Sequence, residues 1–229
     1  MINQNTANKV NSYAERLQRA TTSRHRSLQY LFQSELFPLS SLMGPIGDGP
    51  EWPSSAAWLA FQHGNCGCII SDGLSDPGVK ASEPATGLGL EVYMETPDIA
   101  FCSDDPMAIA DSWLFPMTAE VSHTLASYPR LCEKLLAGEV LSARFNIVHI
   151  KDGRGLAGAL LHVPNSLSSQ IITEMGKITL VAATLITVEE LRWLSGRGEA
   201  GRRALLGLLN EAGVEHRSLA QRPSVVEAL

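Results

Sequence analysis

The chain has 229 residues, 45% of them hydrophobic and 18% charged, with a net charge of −6. This is ordinary globular usage and excludes a disordered, charge-rich chain; the length suits one large domain or two small ones. The polar start, Met1–Val10, has no basic stretch leading into an apolar run, which predicts a cytoplasmic protein, and the most apolar window, Ile178–Ile186, is far shorter than the roughly 20 residues of a membrane crossing.

Apolar residues recur at helical spacing at Val10, Tyr13, Leu17 and Ala20 and again at Leu28, Leu31, Phe32 and Leu36. They predict one long helix or two consecutive ones, with a natural break at the weak helix formers Thr21, Thr22 and Ser23. Pro38–Ser55, with four prolines and three glycines, is expected to be a loop or wrap-around linker. Asn65–Ser71 has the character of a strand ended by the Asp72-Gly73 turn. Leu88, Leu90, Val92 and Met94 alternate with Gly89, Glu91, Tyr93 and Glu95, the period-two pattern of a half-buried strand.

Pro116 suits a helix start and Tyr128-Pro129 its end, with a short helix Leu131–Ala137 closed by Gly138. Strands are expected over Ala143–Ile150 and Leu156–Val163, joined by a hairpin through Lys151–Gly155. The β-branched run Ile178–Ile186 predicts a buried strand. Thr187-Val-Glu-Glu190 is a capping box that starts a helix running to Gly196, and a last helix from Glu199 stops at Gly213. Strands and helices do not alternate regularly. The expected fold is α+β, a mixed, mainly antiparallel sheet flanked by helices, with residues 1–49 forming N-terminal helices and a Pro/Gly-rich linker packed on a domain of residues 50–229.

Charge is unevenly spread. Residues 48–139 hold fourteen acids against Lys80, Arg130 and Lys134, a balance of −11, whereas residues 1–47 total +3 and residues 140–229 total +2. If those acids share a surface they repel nucleic acid and steer toward a basic protein; the alternative is a solvated acidic face that only keeps the protein soluble. The four cysteines, Cys66, Cys68, Cys102 and Cys132, are too sparse for a disulfide framework and are expected to be reduced. Cys66 and Cys68 share a strand face, but one intervening residue is not the spacing of a structural zinc pair, and no metal or cofactor is expected.

Nor does catalytic chemistry assemble from the spacing. Gly87-Leu-Gly89 leads into a strand, so no helix N-terminus can meet a phosphate. The six histidines are scattered. Asp72, Asp76 and Glu91 with a histidine could form a hydrolase's acid cluster, although aspartates in glycine-bounded turns more commonly bond local backbone N–H groups.

Two segments, Ser71-Asp-Gly-Leu-Ser-Asp-Pro77 and Thr86-Gly-Leu-Gly-Leu-Glu-Val-Tyr93, resemble the paired signature of suppressor of fused domains. Phe115-Pro116, the strands before Pro164, Leu185–Leu191 with Gly196, and Arg222-Pro-Ser-Val225 are similar to later landmarks of that family, so the resemblance covers roughly residues 50–226. It implies a non-enzymatic protein-binding module without cofactor. Animal members restrain a transcription factor, and bacterial ones resemble immunity proteins that neutralise toxins. Glu83 matches an acid that helps animal relatives bind their partner, while Gly78 stands where they use an aromatic residue. The expected partner-binding set is Asp72, Asp76, Glu83, Glu91 and Tyr93, with Trp52, Trp58 and Tyr93 as candidate aromatic anchors. The 72–76 bend beside the 88–95 strand should form a carboxylate-rich edge suited to an extended basic peptide added as a strand.

Overall fold

A computed structural model of the chain describes residues 4–39, 58–80, 82–146, 156–165 and 169–226. Helix α1 (Gln4–Phe32) is followed by strands β1 (Phe37–Leu39), β2 (Trp58–His63), β3 (Cys66–Ser71) and β4 (Leu90–Thr96). Then come a 3-10 turn at Ala108–Asp111, helices α2 (Leu114–Ser127) and α3 (Pro129–Leu136), and strands β5 (Leu141–Asn146), β6 (Leu156–His162), β7 (Gln170–Thr173) and β8 (Gly176–Ile186). Helices α4 (Val188–Leu194) and α5 (Gly198–Glu211) complete the order.

The strands form one sheet in the order β1-β2-β3-β4-β8-β6-β5, with β7 also paired to β8. Among the described residues the β4–β8 pair is parallel and the remaining pairs are antiparallel. This is the expected mixed, mainly antiparallel α+β architecture. Helices cover both faces. Trp58, Ala60, Ile69, Val92, Met94, Val181 and Ala183 meet Met117, Val121 and Leu125 of α2 on one face. On the other, Leu59, Phe61, Cys68, Ile70, Leu180 and Ala182 lie under Leu28 and Phe32 of α1, and further along Leu160 and Ile186 lie under Leu194 of α4 and Leu205 and Leu209 of α5.

Three details refine the sequence expectation. First, of one long helix or two consecutive ones the chain forms the single helix. α1 runs unbroken through Thr21, Thr22 and Ser23, because tertiary contacts outweigh weak propensity there: Ser23 Oγ accepts a hydrogen bond from the Glu174 N–H (2.8 Å) and the next residue, Arg24, is tied to the sheet. Second, the proline-rich segment starts as edge strand β1, with Pro38 in an edge position that tolerates a missing N–H; Trp52 and the rest of that segment lie outside the described residues, as do His149 and the Lys151–Gly155 connection. Third, β4 is buried along its whole length. The alternation in its sequence separates two covered faces, so Glu91, Tyr93 and Glu95 point under α1 and away from water. Trp58 is likewise core, its indole N–H donating to Ser122 Oγ at 3.2 Å. No helix among the described residues is long and apolar enough to cross a membrane.

Candidate functional site

The turn after β3 does pack against β4, and a single carboxylate joins them. Glu91 is fully buried. Its Oε1 accepts from the N–H of Gly73 (3.0 Å), the N–H of Ser75 (3.0 Å) and the Ser75 hydroxyl (2.6 Å); its Oε2 accepts from the Ser71 hydroxyl (2.5 Å) and the Leu74 N–H (3.3 Å). Five donors aimed at one side chain specify a carboxylate, since a protonated acid would face them with an O–H. The strand that follows depends on Gly87, whose φ of +46° and approach to the carbonyl oxygens of Leu74 (2.8 Å from an added Cβ) and Asp76 leave no space for a side chain.

Arg24, on α1 and 1% exposed, lies over this turn. Its guanidinium donates to Asp72 Oδ1 (2.7 Å), Asp76 Oδ1 (2.8 Å) and the Ser75 hydroxyl (3.3 Å), with Glu91 Oε1 at 3.7 Å. His25 Nε2 bonds the second oxygen of Asp72 at 2.7 Å, and Arg16 donates to the Val79 carbonyl at 2.9 Å. Burial works against the Arg24 charge, but Glu91, Asp72 and Asp76 more than offset it and raise its pKa. Burial pushes Asp72 up, yet the His25 hydrogen bond and Arg24 hold it below its ordinary value. For Asp76 and Glu91, burial wins and raises the carboxyl above its usual value against the pull of Arg24.

Of the expected partner-binding residues, then, the fold gathers Asp72, Asp76 and Glu91 around Arg24, with Tyr93 two residues along the same strand face. It does not leave them as an open edge. β4 has β3 on one side and β8 on the other, so no strand can add to it, and α1 seals the face above Asp72, Glu91 and Tyr93. The sequence signal passed over here was Arg24 itself, a cation on the apolar side of an amphipathic helix, which must meet buried acids to be tolerated. Glu83 sits on the outer lip: its side chain is 39% exposed, accepts from the Lys80 N–H at 3.1 Å and faces Lys80 Nζ at 3.8 Å. Beside it Val79 is 69% exposed, and Asp76 keeps partial exposure. The acidic block is therefore not one surface, because Asp72, Glu91 and Glu95 are spent inside the fold.

At the far end of β4, Glu95 pairs its Oε2 with His63 Nδ1 (2.8 Å) and its Oε1 with His216 Nε2 (3.0 Å). Burial opposes its charge, but the hydrogen bonds from His216 and His63 hold the carboxyl down at about 2. A groove of about 530 Å³ runs from Gly138 past Arg203 to His162 and His216. Burial, with His216 nearby, depresses the His162 imidazole to about 4. A depressed histidine contributes stability that is present above pH 6.5 and lost as the pH falls toward 4, because the unfolded chain then binds the proton the folded one refuses. Over that window we expect wild type to lose roughly 2–3 kcal/mol more than His162→Gln. Urea midpoints measured at steps between pH 7.5 and 4.5 check this, and parallel pH profiles would refute it.

No family model matches the sequence, and no curated protein matches it significantly. Solved structures do match. A suppressor of fused homologue from Neisseria gonorrhoeae superposes with a TM-score of 0.53 at 16% identity, over 90% of this chain and 97% of that one. A chain of the Sufu-Fu complex superposes with a TM-score of 0.52 at 14% identity, over 92% and 94%. The chain has a suppressor-of-fused-like fold.

Proposed function

Starting from that fold, we propose that the chain is a non-enzymatic protein-binding module of the immunity type, which sequesters a protein partner, a toxin or a regulator. The observation that carries this reading is the match, over nine-tenths of both chains, to a structure whose subject is a complex with the protein Fu. The exposed lip supplies a contact surface: the bare Val79 offers an apolar point, with Asp76 and Glu83 at its rim, where a basic partner would compete with Lys80 for Glu83. Glu91 serves the same surface from beneath by holding the backbone of Gly73, Leu74 and Ser75, and Asp72 ties the turn to α1 through Arg24 and His25.

The alternative of a small-molecule hydrolase using Asp72, Asp76 and Glu91 has less support. A general base must reach substrate, and Glu91 has both oxygens occupied and no exposure. A cytoplasmic site of action fits a chain whose four sparse cysteines are unbridged.

The reading is tested by affinity purification from native cells with wild type and Glu83→Lys in parallel. Wild type should recover one protein in stoichiometric amount, and Glu83→Lys should recover it at least about tenfold less efficiently, as expected for a reversed charge at a contact, with an unchanged melting temperature. Equal recovery by both removes Glu83 from the interface. Recovery of no specific protein, with turnover by the purified chain that Asp76→Asn abolishes, would favour the hydrolase.

A further inference from the structure

The constellation around Glu95 belongs to neither the lip nor the Arg24 cluster. His63 closes β2, Cys68 lies in the middle of β3 and Glu95 lies on β4 in direct register with Cys68. All three point to the face covered by α1. The ligand atoms His63 Nδ1, Cys68 Sγ and one Glu95 carboxylate oxygen lie within 4.8 Å of one another, with Cys68 Sγ 3.8 Å and His63 Nδ1 2.8 Å from the same oxygen, Oε2.

We propose that His63, Cys68 and Glu95 form a binding site for a zinc-class divalent cation. One imidazole, one thiolate and one carboxylate are the donor types that zinc accepts, and the sulfur and nitrogen disfavour magnesium and calcium, which require oxygen. With metal bonds of about 2.0–2.3 Å, tetrahedral ligand atoms stand about 3.3–3.7 Å apart. The present S–O spacing is close to this range, the N–O pair has to open by about half an ångström, and the N–S pair, within 4.8 Å, has to close by up to about 1 Å, a movement open to the half-exposed His63 ring. Binding releases the Cys68 thiol proton to solvent; the His63 Nδ1 proton follows it when the ring starts as imidazolium and moves to Nε2 when the ring starts neutral, so that a neutral imidazole binds through Nδ1.

The surroundings match the demands of such a site. His216 holds the other oxygen, Oε1, at 3.0 Å, which aims Oε2 at the other two donors and makes His216 a positioning residue. The Ser218 N–H fixes the Glu95 backbone carbonyl at 2.8 Å. His63 is 45% exposed and lines an open groove of about 440 Å³ with Phe32 and Gly64, so its ring is the side of the site that faces solvent and the side from which a cation would enter. Without a cation, the arrangement sets a buried thiol against a buried carboxylate. Burial and Glu95 accordingly push the Cys68 thiol far up, a penalty that a cation between them reverses.

The test uses the full chain freed of metal with a chelator, then titrated with Zn2+ by calorimetry and with Co2+ by absorption. One ion per chain, a thiolate-to-cobalt charge-transfer band and the intense visible bands of tetrahedral cobalt are expected. Cys68→Ser should abolish the charge-transfer band. His63→Ala, at a half-exposed ring whose loss the fold tolerates, should weaken binding at least about tenfold, and His216→Ala about tenfold with the charge-transfer band retained. Cys66→Ser and Cys102→Ser should change neither. Absence of saturable binding, or a cobalt spectrum unchanged in Cys68→Ser or lost in Cys102→Ser, would overturn the assignment.

Discussion

Arg24→Met is expected to cost about 3–5 kcal/mol of unfolding free energy, lowering the melting temperature by about 10 °C in a chain of this size. The cause is not a lost attraction alone. The side chain is 1% exposed and makes contacts to Asp72, Asp76, Ser75 and Glu91 from a helix that also reaches this segment through His25 and Arg16. Removing it leaves three acids in a dehydrated site, with the His25 imidazole bonded to Asp72 alone of the three. Those acids would then take up protons more readily in the folded chain than in the unfolded one, so the deficit should shrink as the pH falls toward 4. Urea unfolding of both proteins at pH 7 and pH 4.5 reads this directly. Arg24→Lys should recover only part of the loss, because an ammonium cannot serve Asp72 and Asp76 with separate, fixed nitrogens. An Arg24→Met protein as stable as wild type would show that the cluster is solvated and that α1 is not anchored through it.

Arg222→Ala should be comparably damaging, again by about 3–5 kcal/mol. Glu190 is fully buried at the start of α4, where it closes the capping box by accepting the Thr187 N–H at 2.9 Å. Arg222 meets both its oxygens, at 2.6 and 2.7 Å, and donates onward to the Leu185 carbonyl at 3.2 Å, while the Val225 N–H adds a further bond to Glu190 at 2.9 Å. One carboxylate thus ends β8, starts α4 and fastens the C-terminal segment. Arg222→Ala strands that carboxylate. In the double variant with Glu190→Gln the loss should be smaller than in Arg222→Ala alone, since a neutral amide tolerates burial better than an unpaired charge. Thermal and urea unfolding of the four proteins give the coupling; simple additivity would mean that the two residues do not depend on each other.

These two networks explain why the motifs that resembled suppressor of fused domains come in pairs. Gly73-Leu-Ser-Asp76 supplies the donors and Glu91 of the following strand the acceptor. Thr187-Val-Glu-Glu190 supplies an acceptor, and Arg222-Pro-Ser-Val225 its donors. Each motif is half of a buried polar contact, and each half is uninterpretable without the other.

What the sequence determined by itself was local. The Asp72-Gly73 turn, the capping box at Thr187, the glycine stops and the period-two and period-3.6 apolar patterns depend on backbone propensity and near neighbours, and they yielded the main strands and helices and the α+β class. Edge strand β1, strand β2 and the four-residue β7 were not legible, since short strands take their stability from the neighbours they pair with. The fate of the acids was decided by the tertiary structure alone. Whether Glu91 and Glu95 face water or protein depends on which helix covers the sheet, and the covering helix brings Arg24 from 67 positions away while the chain after α5 brings His216 from 121 positions away. A carboxylate looks the same in sequence whether it is solvated or buried; only the arrival of a distant hydrogen-bonding partner, a guanidinium or an imidazole, makes burial tolerable, and that is a property of the fold.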